Sequence, residues 1–205
     1  MAATAPETPA ALISGIVKVT EETVIPLLRE GVAAGHAPFG AAILLNGTLA
    51  LHTAATNHHQ DWPLLHGETN CIREFFIKPA SERPDPKDTV FFSTHEPCSL
   101  CLSGISWTAF PRLYYLFNYE DTRDLLGVDG DIDILQEVFR VPAPGDTKDT
   151  LAGRPLYNKK NKYFTSVSVA ELLDQVEDAA EQEKLRGDVK RVRELFSEFN
   201  AAAAA

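Results

Sequence analysis

The stretch LLHGETNCIREFF, residues 64–76, decides how the rest of the chain is interpreted. Its apolar residues recur at the spacing of one helix face, which predicts a helix from His66 to about Ile77. His66 and Glu68 stand at the start of this helix, where a side chain is poorly placed to fill a core. The stretch therefore predicts an imidazole and a carboxylate that face something lying beyond the helix end.

A second stretch, HEPCSLC at residues 95–101, contains two cysteines that could bind a metal together with His66. Cys98 and Cys101 are spaced i,i+3 at the start of a predicted helix, so both sulfurs project to one side. The unpaired N–H groups of a first helical turn favour thiolate over thiol. Two thiolates and the imidazole of His66 make three zinc ligands, and a three-ligand site leaves a fourth position for water. Glu68 is then the carboxylate beside that water, which is a catalytic layout.

The combination of H-x-E with P-C-x-x-C is the zinc deaminase signature, and the chain resembles the cytidine deaminase superfamily over about residues 36–131. Further anchors of the resemblance are PFGA at 38–41 and Asn57 ahead of the histidine. Glu96 before Pro97 is similar to the purine branch, and the chain looks most like the guanine deaminase type. The resemblance implies an α/β chain with the three-layer α/β/α cytidine deaminase-like fold and a mixed central sheet.

The resemblance also implies the roles of the site residues. Zn²⁺ is the expected cofactor, held by His66, Cys98 and Cys101. Glu68 is the expected catalytic residue, acting as general base and then as general acid.

Substrate contacts are expected from the same region and from the segment that follows it. The segment YYLFNYEDTRDLLGVDGD, 114–131, resembles a family segment ending in G-F-D-D. Gly130 interrupts that match, which leaves Asp129 or Asp131 as the base-reading aspartate. The other predicted substrate contacts are Phe39, Gly40, Asn57, Trp62 and Pro97, of which Phe39 and Trp62 could equally serve packing.

Several residues have competing interpretations. Cys71 could be a third sulfur in a closed structural zinc site, but its position on the other side of the helix favours a buried core residue. His58, His59 and His95 could form a metal cluster, and solvent-facing loop histidines are the simpler interpretation. The basic runs at 158–162 and 184–193 are typical of solvated faces, with an RNA or oligomer contact as the alternative.

The composition sets limits on the class of protein. Hydrophobic residues make up 44% of the 205 residues and charged residues 23%, as in an ordinary globular protein. The formal net charge of −10 gives no global attraction to phosphate backbones, so a nucleic-acid partner is not expected. The N-terminus has no signal pattern, which predicts a cytoplasmic protein. Its three cysteines are then not expected to form disulfides. No apolar run is long enough for a membrane span.

The order of the predicted elements implies a mixed sheet with helices on its faces. A helical pattern runs from Ala10 to about Ala34 with Pro26 splitting it, and Asn46-Gly47 indicates a hairpin. The later predictions are strands at 89–94 and 112–117, helices at 98–109, 120–126, 132–139 and 168–197, and a loop at 141–162. The predicted domains are a disordered tail at 1–9, a zinc deaminase domain at 10–165, a C-terminal helical extension at 166–200 and an alanine tail at 201–205.

The predicted function is hydrolytic removal of the exocyclic amine of a small nucleobase or nucleoside, with a guanine-like purine as the leading substrate. Alternatives are a tRNA adenosine deaminase or its partner subunit, and a cytosine or cytidine deaminase. The resemblance also implies a homodimer, with residues 141–205 as the candidate contribution to a pocket shared between subunits.

Overall fold

A five-stranded mixed sheet organises the chain in the computed structural model, which describes residues 7–199. The strand order is β2-β1-β3-β4-β5. β1 pairs antiparallel with β2 and β3, whereas β4 runs parallel to both β3 and β5. The mixed sheet is therefore confirmed. The strands are β1 Gly40–Leu45, β2 Leu51–Thr56, β3 Thr89–His95, β4 Arg112–Phe117 and β5 Thr165–Ser168.

Helices cover both faces of this sheet because its central strands are apolar on both sides. In β1, Ala42 and Leu44 face a core built with α1, α2, α8 and α9, whereas Ala41 and Ile43 face a core built with α3 and α4. This alternation confirms the three-layer α/β/α arrangement. The helices are α1 Pro9–Val19, α2 Ile25–Ala33, α3 Gly67–Phe76, α4 Ser99–Trp107, α5 Tyr119–Leu126, α6 Gly130–Ile134, α7 Lys148–Ala152, α8 Val169–Leu173 and α9 Ala179–Leu195.

The first helical pattern is interrupted ahead of Pro26, as predicted. A π-helical turn, Thr20–Val24, separates α1 from α2, and the N–H of Ile25 donates to the carbonyl of Thr20, five residues back. Pro26 lies in the first turn of α2, where its missing N–H costs no helical hydrogen bond.

The predicted tail at 1–9 is wrong from Glu7 onward. Helix α1 begins at Pro9, and the Glu7 side chain is 4% exposed because it pairs with Arg112 and accepts the N–H of Gly47 at 2.5 Å. A lone acidic residue carries no sequence signal for a partner about a hundred positions away. Residues 1–6 and the predicted alanine tail at 201–205 lie outside the described residues.

The hairpin forms where Asn46-Gly47 predicts it, but the turn is longer than two residues. The N–H of Leu49 donates to the carbonyl of Leu45 at 2.9 Å, and Leu49 adopts a positive φ of 53°. Leu49 packs against the core on the α1 side. The turn therefore comprises residues 46–50, and the partly buried Leu49 side chain connects it to the core.

The region beyond 141 contains more structure than the sequence indicates. The predicted loop at 141–162 includes the short helix α7, and the predicted helix at 168–197 is divided between α8 and α9. The polar strand β5 extends the sheet across the predicted domain boundary at 165, so the helical extension packs on the same core. No helix among residues 7–199 is both long enough and apolar enough to cross a membrane.

Candidate active site

The starts of α3 and α4 meet on one face of the sheet and bring the predicted ligands together. His66 immediately precedes α3, Cys98 immediately precedes α4, and Cys101 lies in the first turn of α4. The Nδ1 atom of His66 lies 3.5 Å from the Sγ of Cys98 and 3.7 Å from the Sγ of Cys101. The three side chains form a compact donor set for a metal ion.

The spacing of these donors fits a zinc ion. A tetrahedral Zn²⁺ ion with usual bond lengths holds its nitrogen and sulfur ligands about 3.6 Å apart. Hydrogen bonding from the Cys101 thiol lowers the pKa of Cys98 to about 4, and hydrogen bonding to Cys98 raises the pKa of His66. Cys98 is thus already a thiolate at neutral pH, which is the form that binds metal.

Glu68 lies beside this donor set without belonging to it. Its carboxylate accepts a 2.9 Å hydrogen bond from the Ser93 hydroxyl and lies 3.4 Å from the Cys101 sulfur. The residue is buried, and this burial raises the pKa of Glu68 to about 7. A carboxyl group with such a pKa can both accept and release a proton at neutral pH.

The residue between His66 and Glu68 is glycine because the backbone of Phe39 and Gly40 leaves no space for a side chain. A Cβ atom at this position would lie 2.8 Å from both the Cα of Gly40 and the carbonyl oxygen of Phe39, closer than real side chains approach. The Gly67 N–H donates a 2.5 Å hydrogen bond to the Oδ1 of Asn57. These contacts press the start of α3 against the loop before β1 and so position His66 and Glu68 on either side.

A pocket of about 310 Å³ opens over the donor set. Three of the predicted substrate contacts, Phe39, Asn57 and Asp131, line it. Because the Oδ1 of Asn57 is engaged by Gly67, its amide N–H₂ is the group available to a ligand. The pocket walls are Ala37, Phe39, Asn57, His59, His66, Glu68, His95, Glu96, Cys98, Val128 and Asp131.

The other predicted contacts lie outside the pocket wall. Gly40 donates its N–H to the Thr94 hydroxyl at 3.0 Å, and the Pro97 carbonyl accepts the Tyr119 hydroxyl at 2.6 Å, so both are engaged in supporting the wall. Asp129 immediately precedes α6 without lining the pocket.

Trp62 is also absent from the pocket wall. The residue is 55% exposed and lines a separate surface depression, so the prediction that its proximity to Asn57 in sequence brings it to the pocket is wrong. The chain turns between the two residues, which points the indole away from the site.

The interpretation of the histidines as solvent-facing loop residues is wrong for His95. This residue ends β3, is 5% exposed, and stacks on Phe117 with the ring centroids 4.8 Å apart. It also makes a T-shaped contact with Phe39, with the ring centroids 4.8 Å apart, and both residues line the pocket. Cys71, in contrast, lies in the core as expected, fully buried and outside the donor set.

Glu96 is a member of the pocket wall that was not predicted from the sequence. Its buried carboxylate accepts the Tyr119 N–H at 3.2 Å and the Tyr157 hydroxyl at 2.7 Å. The position of Glu96 two residues before the first sulfur was an available signal for a role at the site. No local pattern identified Tyr157, because it lies 61 residues further along the chain.

Part of the chain is similar in sequence to known proteins. Residues 19–117 match the family described as the cytidine and deoxycytidylate deaminase zinc-binding region. A guanine deaminase of Bacillus subtilis strain 168 is 28% identical over 101 residues, which are 49% of this chain and 64% of that protein. The chain thus covers less than two thirds of this relative.

Solved structures share the fold. A guanine deaminase from Nitrosomonas europaea superposes with a TM-score of 0.50 at 18% identity, covering 91% of this chain and 87% of that one. A variant protein crystallised with 8-azaguanine has a TM-score of 0.52 at 17% identity, covering 90% of this chain and 85% of that one. At these identities the similarity concerns the fold alone.

Proposed function

From the match of residues 19–117 to the cytidine and deoxycytidylate deaminase zinc-binding region, we propose that the chain is a zinc-dependent hydrolytic deaminase. The proposed substrate is a small nucleobase or nucleoside, with a guanine-like purine as the leading candidate. The observation that carries the proposal is the position of Glu68, a buried carboxylate 3.4 Å from a sulfur of the three-residue donor set.

His66, Cys98 and Cys101 would hold the zinc ion. When bound, Zn²⁺ activates water for nucleophilic attack at neutral pH. Glu68 takes a proton from the attacking water while the water oxygen bonds to the ring carbon that carries the exocyclic amine. Glu68 delivers that proton to the adjacent ring nitrogen. It then takes the second proton of the water from the new hydroxyl group and delivers it to the departing amine, the C–N bond breaks, and ammonia leaves behind a carbonyl group.

The lining of the pocket supports a planar, hydrogen-bonding substrate. Phe39 offers an aromatic surface for a base, and the amide N–H₂ of Asn57 is a donor for a ring nitrogen or carbonyl. Asp131 is the proposed base-reading residue, since a carboxylate accepts hydrogen bonds from the ring N–H and amine groups of a guanine-like base. The similarity to a guanine deaminase is consistent with this choice.

The size of the pocket suits a single base, and the charge of the chain favours a small molecule over tRNA. A pocket of about 310 Å³ lies at the lower end of the range for small-molecule sites. The net charge of −10 would repel a polyanion at long range.

An ammonia-release assay with zinc-loaded protein tests the proposal directly. The substrates are guanine, adenine, guanosine, cytosine, cytidine and a tRNA, assayed in parallel with wild-type protein and Glu68→Gln. We expect the wild-type protein to release ammonia from guanine or a related purine, and we expect Glu68→Gln to lose this activity. Release from cytosine or cytidine alone would replace the purine by a pyrimidine, and release from tRNA alone would favour tRNA editing. No release from any substrate would overturn the enzymatic proposal and favour a partner subunit.

A further inference from the structure

A second group of potential metal ligands lies outside the donor set of His66. His36, His58 and Asp61 each offer one ligand atom, and these atoms all lie within 4.8 Å of one another. The imidazole rings of His36 and His58 are stacked with their centroids 4.6 Å apart. The Nδ1 of His58 and the Oδ2 of Asp61 are 3.0 Å apart.

An unpaired nitrogen of His36 is independent evidence that this group of side chains binds a ligand. The residue is 7% exposed, and its Nδ1 is buried without a hydrogen-bond partner among residues 7–199. Leaving a buried polar nitrogen unpaired costs free energy, so native proteins satisfy such atoms with protein, water or an ion. A metal ion shared with His58 and Asp61 would satisfy this nitrogen.

We propose that His36, His58 and Asp61 form a second metal site that binds a divalent transition ion such as Zn²⁺. Two imidazoles and one carboxylate make the N₂O donor set that suits zinc and its neighbours rather than Mg²⁺ or Ca²⁺, which prefer oxygen ligands. Bond lengths near 2 Å place nitrogen and oxygen ligands of a tetrahedral ion about 3.3 Å apart. The Nδ1 of His58 and the Oδ2 of Asp61 are 3.0 Å apart, and on binding the side chains would shift so that all three ligand atoms, now within 4.8 Å of one another, reach that spacing.

The site would join two loops that form the active-site wall. His36 precedes Ala37 in the loop before β1, whereas His58 and Asp61 flank His59 in the loop after β2. Ala37 and His59 both line the active-site pocket and are already linked by a 3.2 Å hydrogen bond from the Ala37 N–H to the Nδ1 of His59. An ion in the second site would tie these loops together and stiffen one rim of the pocket.

Metal stoichiometry tests the proposal on the full chain. Protein equilibrated with micromolar ZnCl₂ and then freed of loosely held ion should retain two zinc ions per chain by elemental analysis. His36→Ala should retain one, and the control His52→Ala, which alters a histidine outside the cluster, should retain two. Asp61→Asn provides a variant that should fold normally, because the Asp61 side chain is 69% exposed. Its second ion should bind at least tenfold more weakly.

X-ray absorption separates the two sites by their ligands. In Cys98→Ser/Cys101→Ser protein, zinc should remain bound through nitrogen and oxygen at about 2.0–2.1 Å without sulfur at about 2.3 Å. Retention of only one ion by the wild-type chain would overturn the second site, as would unchanged stoichiometry and affinity in Asp61→Asn. Binding seen only at millimolar zinc would identify an adventitious ion and would equally overturn it. None of these measurements requires deaminase activity, so the second site can fail while the proposed function holds.

Discussion

The phenol of Tyr157 donates a 2.7 Å hydrogen bond to the carboxylate of Glu96. Glu96 lines the active-site pocket, whereas Tyr157 lies in the region beyond the family-matching residues 19–117. The Tyr157 hydroxyl also lies 3.1 Å from the Ser166 hydroxyl of β5. The C-terminal part of the chain therefore supports the wall of its own active site.

Tyr157→Phe should destabilise the protein while preserving its shape. In this variant Glu96 still accepts the hydrogen bond from the Tyr119 N–H and still lies 3.6 Å from the Lys159 ammonium group. It loses the hydrogen bond from the Tyr157 hydroxyl. Loss of a buried hydrogen bond to a charged group should lower the free energy of unfolding by about 1–3 kcal/mol, measured by chemical denaturation. Tyr163→Phe is the matched control, because Tyr163 is 54% exposed. Equal stabilities of the two variants would contradict a structural role for the Tyr157–Glu96 bond.

Glu68→Gln should abolish proton transfer without disturbing the metal. Glutamine is nearly isosteric with glutamate but cannot accept the proton, so turnover should fall by a factor of about 10²–10⁴. Zinc content should stay unchanged because Glu68 is not one of the three proposed ligands. Glu74→Gln, on the outer side of the same helix, is the control and should keep full turnover. Retention of more than about a tenth of wild-type turnover in Glu68→Gln would exclude proton shuttling, given those magnitudes.

Cys71→Ala should cost stability but not zinc. The thiol is fully buried in the core between α3 and the sheet, and burial raises its pKa well above the ordinary range, so it stays protonated. Removing its sulfur should lower the free energy of unfolding by about 1–3 kcal/mol. Cys101→Ala should instead lose the metal. Zinc analysis of both purified variants distinguishes the two roles, and zinc loss in Cys71→Ala would make Cys71 a ligand.

His95 should make the folded state sensitive to acid. Burial, together with the nearby Arg193 guanidinium, lowers the pKa of His95 from 6.5 to about 3 against the opposing effect of Asp121. Between pH 6.5 and pH 3 the unfolded chain takes up a proton that the folded chain does not, so stability falls as the pH is lowered through this window. The slope should be up to about 1.4 kcal/mol per pH unit.

The contribution of His95 can be isolated by substitution. The difference in unfolding free energy between wild type and His95→Gln should change with pH over this window, since glutamine does not titrate. Denaturation midpoints measured at several pH values with saturating zinc provide the comparison. A constant difference from pH 4 to pH 7 would mean that His95 does not lose its proton on folding.

The chain is expected to form a homodimer. Light scattering at micromolar concentration should give twice the chain mass of 22.5 kDa. Large apolar side chains are exposed at the start of the region 141–205, which is proposed to contribute to the shared pocket. They are Val138 (66% exposed), Phe139 (57%) and Val141 (73%). Phe139→Glu should therefore shift the mass towards 22.5 kDa, whereas Ile77→Glu, on another surface, should not. A wild-type mass of one chain would contradict the dimer.

Each half of the proposed ligand set could be oriented from the sequence because the geometry within each half is local, whereas only the fold brings His66 to within 3.5 Å of Cys98. His66 and Glu68 share one helix start, and Cys98 and Cys101 share another, so residue spacing alone orients each pair. The Asn46-Gly47 hairpin signal and the apolar runs at 89–94 and 112–117 likewise predicted four of the strands. The strand β5 escaped prediction because TSVS is short and mostly polar, and its neighbour β4 supplies the pairing that makes it a strand.

Other features depend on residues that only the folded chain brings together. The sequence left Asp129 and Asp131 equivalent, and the path of the backbone into α6 brings Asp131 alone to the pocket wall. The contacts of Glu96 with Tyr157, and of His36 with His58, join segments 61 and 22 positions apart. Local spacing determines which way neighbouring side chains point, whereas contacts between distant segments depend on how the sheet and its helices pack.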